Sequence, residues 1–311
     1  MSAQYKQLPD GRMHFQHGPI DIIIGADGVD HAVAAAHAQA WGRFSGILDE
    51  LVQELGLLRQ PVGGARCTVK GPVARRMWQA CQPYRSTYIT PMAAVAGSVA
   101  QELIACYARN GINRAWVNNG GDIALHLLPS ESLRIGLYAD MANFGAQDIR
   151  QTLQTDGQFE VSGALPVRGV ATSGWRGRSF SLGIADSVTV LARTAAEADA
   201  AATVIANAVN VQDARIVRRP ACEMKDDSDL GSMAVTVDVP PLEAGLVQKA
   251  LRAGLKRANE LRAAGLIWSA ALVCQKQLAT TAFAGIRMLD EKHANPGHHP
   301  EWKLQVGSVF A

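Results

Sequence analysis

Asp199 and Thr203 stand four residues apart in the stretch Ala-Asp-Ala-Ala-Ala-Thr, residues 198–203. On a helix, positions i and i+4 share a face, so a carboxylate and a hydroxyl project side by side from a run of small residues. Oxygen donors of this kind suit Mg²⁺, which takes one or two protein carboxylates and keeps part of its water shell. The same spacing also describes a solvated aspartate and a threonine bonded to its own helix. A second constellation is Asn118-Asn119-Gly120-Gly121-Asp122. Paired glycines after a strand free the backbone for positive φ and let a ligand approach its N–H groups. Asn119, Gly120 and Gly121 are therefore candidate ligand contacts and Asp122 a candidate proton carrier; a plain hairpin turn is the alternative. Thr172, Ser173 and Gly174 make a third candidate, a hydroxyl-lined cradle for phosphate or carboxylate, or simply a polar turn. Arg176 and Arg178 beside it favour an anionic ligand. Ser181 and Asp186, flanking Gly183, are further candidates for proton handling. His293, His298 and His299 lack regular ligand spacing and read as loop histidines.

The elements that position these groups follow from local pattern. Residues 12–16 and 20–24 straddle His17-Gly18-Pro19 and predict a β-hairpin. Asp30 is placed as the cap of a helix running to about Leu55, with Phe44, Ile47, Leu48, Leu51 and Leu55 on its core face. A helix is expected over 72–81. Thr90-Pro91 predicts the start of another, reaching Ala108 and ending at Asn110-Gly111. Strands are expected at Ala115–Asn118, Ile123–Leu128, Leu133–Tyr138 and Val167–Ala171, with Thr172-Ser173-Gly174 as a turn. Phe180–Gly183 and Asp186–Ala192 alternate like strands. Thr194, with Glu197 three residues later, caps a helix over 195–209. Val235–Val239 is a strand, Pro241–Ala264 an amphipathic helix, and Leu266–Gln275 pairs with Leu278–Phe283. No period of self-similarity is visible.

Hydrophobic residues make up 48% and charged residues 19% of 311 positions, as in a globular protein. A formal net charge of +2 gives no basis for binding nucleic acid or an acidic membrane. The five cysteines contain no CxxC pair and read as buried, reduced thiols. With no apolar leader and no stretch near the ~20 residues of a membrane span, the expected location is the cytoplasm.

Taken in order, the motifs resemble the ApbE-like superfamily, whose best-known members are FAD:protein FMN transferases. The resemblance rests on Gly120-Gly121-Asp122-Ile123, Thr172-Ser173-Gly174, Ser187-Val188-Thr189-Val190 and Ala198-Asp199 with Thr203. It implies an α+β fold, T-fold-like, with antiparallel sheets and helices in two intimately packed lobes over residues 1–285, followed by a tail at 286–311. It also implies Mg²⁺ held by Asp199, Thr203 and the backbone carbonyl of Ala96, with FAD as substrate or ligand. Gly97-Ser98 replaces the Lys-Gly pair of the transferases. The segment 175–185 is shorter than theirs and lacks their histidine. A second likeness joins His17-Gly18-Pro19, residues 90–97, 179–186 and 265–272, and is similar to an uncharacterised cytoplasmic branch of the superfamily.

Three functions are consistent with this reading. The first is metal-assisted transfer or hydrolysis on FAD or a related phosphorylated small molecule. The second is metal-free chemistry on a small carboxylated or heterocyclic metabolite, with Asp186 as base. The third is flavin binding or assembly without catalysis. The partner is a small molecule, and a homodimer is compatible with the sequence.

Overall fold

Alternation of apolar and polar residues builds the first strands. β1 (Gln4–Gln7), β2 (Met13–His17) and β3 (Ile20–Gly28) pair antiparallel, with Phe15 opposite Ile22. Phe15, Ile22 and Ile24 are fully buried against α1 (Asp30–Gln53), through Phe44 and Ile47. Each such side chain contributes about 1.5–3 kcal/mol by leaving water. α2 (Leu55–Leu58), α3 (Pro72–Cys81) and α4 (Val95–Ile104) complete the helical layer over this half. The computed structural model describes residues 2–64, 66–137, 157–289 and 304–305.

The chain then forms the hairpin β4 (Ile112–Asn119) and β5 (Asp122–Leu127), followed by β6 (Ser132–Leu137) and β7 (Gly157–Ser162). The second half opens with the hairpin β8 (Gly169–Ser173) and β9 (Ser187–Ala192). After these come α5 (Ala195–Ala208), β10 (Val217–Pro220), α6 (Ala221–Met224), β11 (Ala234–Asp238) and α7 (Ala244–Ala263). The half closes with the hairpin β12 (Ser269–Cys274) and β13 (Gln277–Thr280). β14 (Arg287–Leu289) and β15 (Leu304–Gln305) lie within the stretch expected as a tail; β14 pairs with β7 and β15 with β6.

Nine strands form one antiparallel sheet in the order β1-β2-β3-β4-β5-β8-β9-β12-β13. Both halves of it repeat one plan: a hairpin, a group of helices, a second hairpin. The fold is α+β, and the two expected lobes are two halves of one continuous sheet. Helices cover one face with two cores, one around Phe44, Met77 and Leu103, the other around Ile205, Leu251 and Leu272. The opposite face packs Trp116, Ile123 and Leu191 against Ile135, Phe159 and Val161 of the smaller sheet. The halves join at β5 and β8, where two residue pairs, Ile123–Val170 and Ala124–Gly169, make the ladder.

Several local expectations need correction. Thr172 and Ser173 are strand residues of β8, and the turn begins only at Gly174. Phe180–Gly183 forms no strand, because its backbone is engaged by Asn207 and Thr236 instead of a ladder. Val29, not Asp30, occupies the cap position of α1. The helix expected from Thr90 to Ala108 is three pieces, 3₁₀ turns at Pro91–Ala94 and Ala105–Tyr107 flanking α4. The cysteines are all free thiols, and Cys222 is exposed, not buried. No helix among the described residues is long and apolar enough to cross a membrane.

Candidate functional site

The seam between the two halves gathers polar side chains in an otherwise apolar interior. β4 and β5 turn through Gly120 and Gly121 with φ of +67° and +107°, and Asn119 pairs Asp122 across the turn. Both positions need a backbone that side-chain-bearing residues rarely adopt. The Asn118 side chain closes the turn by accepting from Gly121 N–H at 2.9 Å. Asp122 thereby sits where the β5–β8 ladder has run out. Its Oδ1 accepts the Thr172 backbone N–H at 3.3 Å, in place of a strand partner.

Asp199 reaches the same place from α5. Its Oδ2 accepts the Gly97 N–H at 2.8 Å, and the Ala96 N–H also hydrogen-bonds to this carboxylate. Asp199 therefore caps the first turn of α4 from a neighbouring helix, where free N–H groups and the helix dipole favour negative charge. Such a cap requires close approach. A Cβ on Gly97 would lie 2.3 Å from the Ala195 carbonyl oxygen and 2.9 Å from Asp199 Cβ. The Ala96 carbonyl accepts from Asn119 Nδ2 at 3.1 Å, tying the glycine turn to the same helix start.

Asp122 and Asp199 face each other electrostatically. Burial pushes the Asp199 carboxyl up to about 7, against the Gly97 and Ala96 N–H groups that lower it. Burial, then the Asp199 charge, pushes Asp122 well above the usual carboxylate range, with the Thr172 N–H opposing. Two adjacent acids in low dielectric resist ionising together, so the pair holds a proton or a cation. Buried Cys81 lies in the same field: burial raises its thiol, then Asp199 and Asp229. Asp229 arrives on the segment after α6, where its carboxylate accepts the Thr90 hydroxyl and its carbonyl the Tyr88 hydroxyl. Sequence reading missed Asp229 and used Thr90 only as a helix signal; the acidic run 226–229 was the one visible cue.

The remaining predicted residues are distributed around this pair. By strand alternation, Ser173 faces the helices with Asp122, while Thr172 faces the other side. There the Thr172 hydroxyl meets Thr189 Oγ1 at 3.0 Å. Only the Thr172 backbone joins the acid pair. Gly174 lies too close to the Asp186 carbonyl, 2.3 Å from a notional Cβ, to carry a side chain. Asp186 binds Gln275 N–H and Trp175 Nε1, with Arg176 Nε 4.0 Å away. These contacts anchor the β12–β13 turn. The Arg176 guanidinium lies over the Trp175 ring at 4.8 Å, and Arg178 crosses to the Pro19 carbonyl at 2.9 Å. Ser181 is buried between Asn207 and the Gly183 N–H, away from the acid pair. Thr203 is half-buried one turn beyond Asp199 on α5. His293, His298 and His299 lie outside the described residues.

The chemistry of this donor set fits a divalent cation in one respect. Two mutually repelling carboxylates would be relieved by one positive ion. The Asp199 oxygen and the Ala96 carbonyl that the resemblance assigned to the metal already accept hydrogen bonds, so an ion would share them or use the remaining lone pairs. Among the described residues, no group of three or more His, Cys, Asp or Glu is gathered as a metal cage.

The sequence profile of the family described as AbpE bacteria matches residues 5–280. The UPF0280 protein of Methanopyrus kandleri is 36% identical over 220 residues, 70% of this chain and 83% of that protein. The UPF0280 protein of Methanothermobacter thermautotrophicus is 38% identical over 159 residues, 51% of this chain and 57% of that protein. Among solved structures, the apo flavinyl transferase ApbE of Pseudomonas stutzeri aligns over 90% of this chain and 93% of its own, at 12% identity and a TM-score of 0.41. The flavin transferase ApbE of Vibrio cholerae aligns over 91% and 99%, at 11% identity and a TM-score of 0.40. With a match over residues 5–280 that includes the acid pair and both glycine-bearing corners, the chain belongs to the AbpE bacteria family, within the ApbE-like superfamily that its motifs resemble.

Proposed function

We propose that this protein is a transferase or hydrolase that cleaves FAD or a related phosphorylated small molecule with the help of a divalent cation. The observation that carries the reading is the pair of buried Asp122 and half-buried Asp199 at the start of α4, beside a turn of two glycines. Asp199 and, from the next helical turn, Thr203 would hold Mg²⁺, which when bound supplies Lewis-acid stabilisation of charge on a phosphate oxygen, and Asp122 is left free to take a proton. Gly120 and Gly121 leave room for ligand backbone contact, and Ser173 lies on the same face. Trp175, with Arg176 over its ring, offers a flat surface and a cation at the rim. In the reaction, an acceptor hydroxyl forms the new oxygen–phosphorus bond as the pyrophosphate bridge breaks. The acceptor proton passes to the free carboxylate of the pair, and the departing nucleotide leaves as a phosphate monoester.

The test is Mg²⁺-dependent release of FMN or AMP from FAD, followed by chromatography. Asp199→Asn and Asp122→Asn are each expected to lower the rate by about a hundredfold or more, the usual contribution of a positioned acid or base. Undiminished turnover in Asp199→Asn removes this reading.

A second reading is favoured by one observation: the oxygens assigned to the metal already accept Gly97 N–H and Asn119 Nδ2. In it, the acid pair shares a proton and works as general acid and base on a small carboxylated or heterocyclic metabolite. Full turnover of such a compound in excess chelator separates it from the first.

A further inference from the structure

The sheet face opposite the acid pair carries a second group of polar residues, at the rim where β2, β3, β4 and β8 end. His14 on β2 and Asp21 on β3 meet there, with Nε2 and Oδ1 2.6 Å apart. Their neighbours Phe15 and Ile22 lie in the helix-side core, so strand alternation places this pair on the other face. Asp21 is buried and His14 partly exposed. Lys6 on β1 stands directly across from His14. Asn119 pairs with Ile22, so Gly120 falls one step on, beside Asp21. Arg178 Nη1 lies 3.7 Å from where a Gly120 Cβ would be, while Nη2 donates to the Pro19 carbonyl. Beyond Gly121 the row continues into the bonded hydroxyls of Thr172 and Thr189.

The chemistry of this rim is specific. With Asp21 accepting from Nε2–H, the His14 ring presents Nδ1 to the rim. Among the described residues, no group occupies His14 Nδ1, and Arg178 forms no ion pair with a carboxylate. Lys6 and Arg178 contribute two positive charges against the single negative charge of Asp21. A phosphate group seated here would bond Arg178 by its planar fork and share one proton with His14 Nδ1, whichever of the two holds it.

We propose that the rim formed by Lys6, His14, Asp21 and Arg178 is a phosphate-binding site, with His14 as a direct contact and Asp21 as the residue that fixes its tautomer. It requires neither flavin nor metal and stands apart from the reaction assigned to the acid pair.

The test uses inorganic pyrophosphate as the probe. Calorimetry measures its affinity for the full chain, and ¹⁵N-histidine spectra follow the His14 ring. Pyrophosphate is expected to move the His14 Nδ1 resonance. Arg178→Gln and His14→Asn are each expected to weaken binding by about tenfold or more, and Arg252→Gln, an equal loss of charge on the exposed side of α7, to leave it within about threefold. Asp21→Asn is expected to redistribute the ring proton between Nε2 and Nδ1 before any ligand is added. An unmoved Nδ1 resonance at saturation overturns the proposal. So does wild-type affinity in Arg178→Gln. Loss of binding in Asp199→Asn with retention in Arg178→Gln would place the anion on the helix side and overturn it equally.

Discussion

The acid pair makes a prediction about stability that is independent of any substrate. In the unfolded chain Asp199 titrates near 3.8, and in the folded chain near 7. Below pH 3.8 both states hold the proton, so the shift has no effect on stability. Between 3.8 and 7 the folded chain keeps a proton that the unfolded chain has lost, so stability falls as pH rises. Above 7 both are ionised and the loss is complete; Asp122, also raised, adds to the fall in the same direction. At about 1.4 kcal/mol for each tenfold change in proton affinity, the rise from 3.8 to about 7 sets an upper limit of about 4 kcal/mol. Asp199 keeps part of its surface at solvent and shares one proton with Asp122, which reduces the expected effect to about 2 kcal/mol.

Asp199→Asn removes the charge but keeps an oxygen able to accept the Gly97 N–H. In urea titrations from pH 4 to pH 8.5, this variant is expected to match wild type at the acid end and exceed it by about 2 kcal/mol at pH 8. Taking the difference matters. Glu102, held low by Arg43 and Arg76 against the burial that raises it, contributes stability that grows with pH, and this cancels between variants. Adding Asp122→Asn completes a cycle. Each single change also relieves the other carboxylate, so the double variant should gain less than the sum, by on the order of 1 kcal/mol. The reasoning is refuted if Asp199→Asn is no more stable than wild type at pH 8, or if the difference is the same at pH 4.

Gly97→Ala should cost about 1–3 kcal/mol in the same urea titrations, because the added methyl overlaps the Ala195 carbonyl and Asp199 Cβ; unchanged stability would mean that α4 and α5 can separate freely. Thr172→Val should cost about 1 kcal/mol through the lost bond to Thr189. It should leave the pH-dependent difference intact, since Asp122 is held by the Thr172 backbone. Thr90→Val should release Asp229 and speed tryptic cleavage after Lys225, read by mass spectrometry; equal cleavage rates would show that the Thr90–Asp229 contact does not restrain the segment after α6.

The parts of this protein that sequence determined are those whose causes are local. Pro72 starts α3 and Cys81 ends it, as expected. Thr194 accepts the Glu197 N–H at the start of α5, because cap and partner are three residues apart. The Gly120-Gly121 turn follows from two residues that tolerate positive φ. Motif order carried the family further than periodicity could, since four short signals in sequence restrict alternatives that each one leaves open.

Tertiary structure alone decided what those elements do. The repeated hairpin–helices–hairpin plan has no matching sequence period, so only strand order reveals it. Asp199 caps a helix 102 residues away and Thr90 meets a carboxylate 139 residues away, distances at which no local propensity acts. Thr172 and Ser173 were recognisable as a motif, yet which hydroxyl faces the acid pair depends on one step of strand register. His14 and Asp21 are only seven residues apart. They were nevertheless missed, because the hairpin register, not their spacing, brings them together.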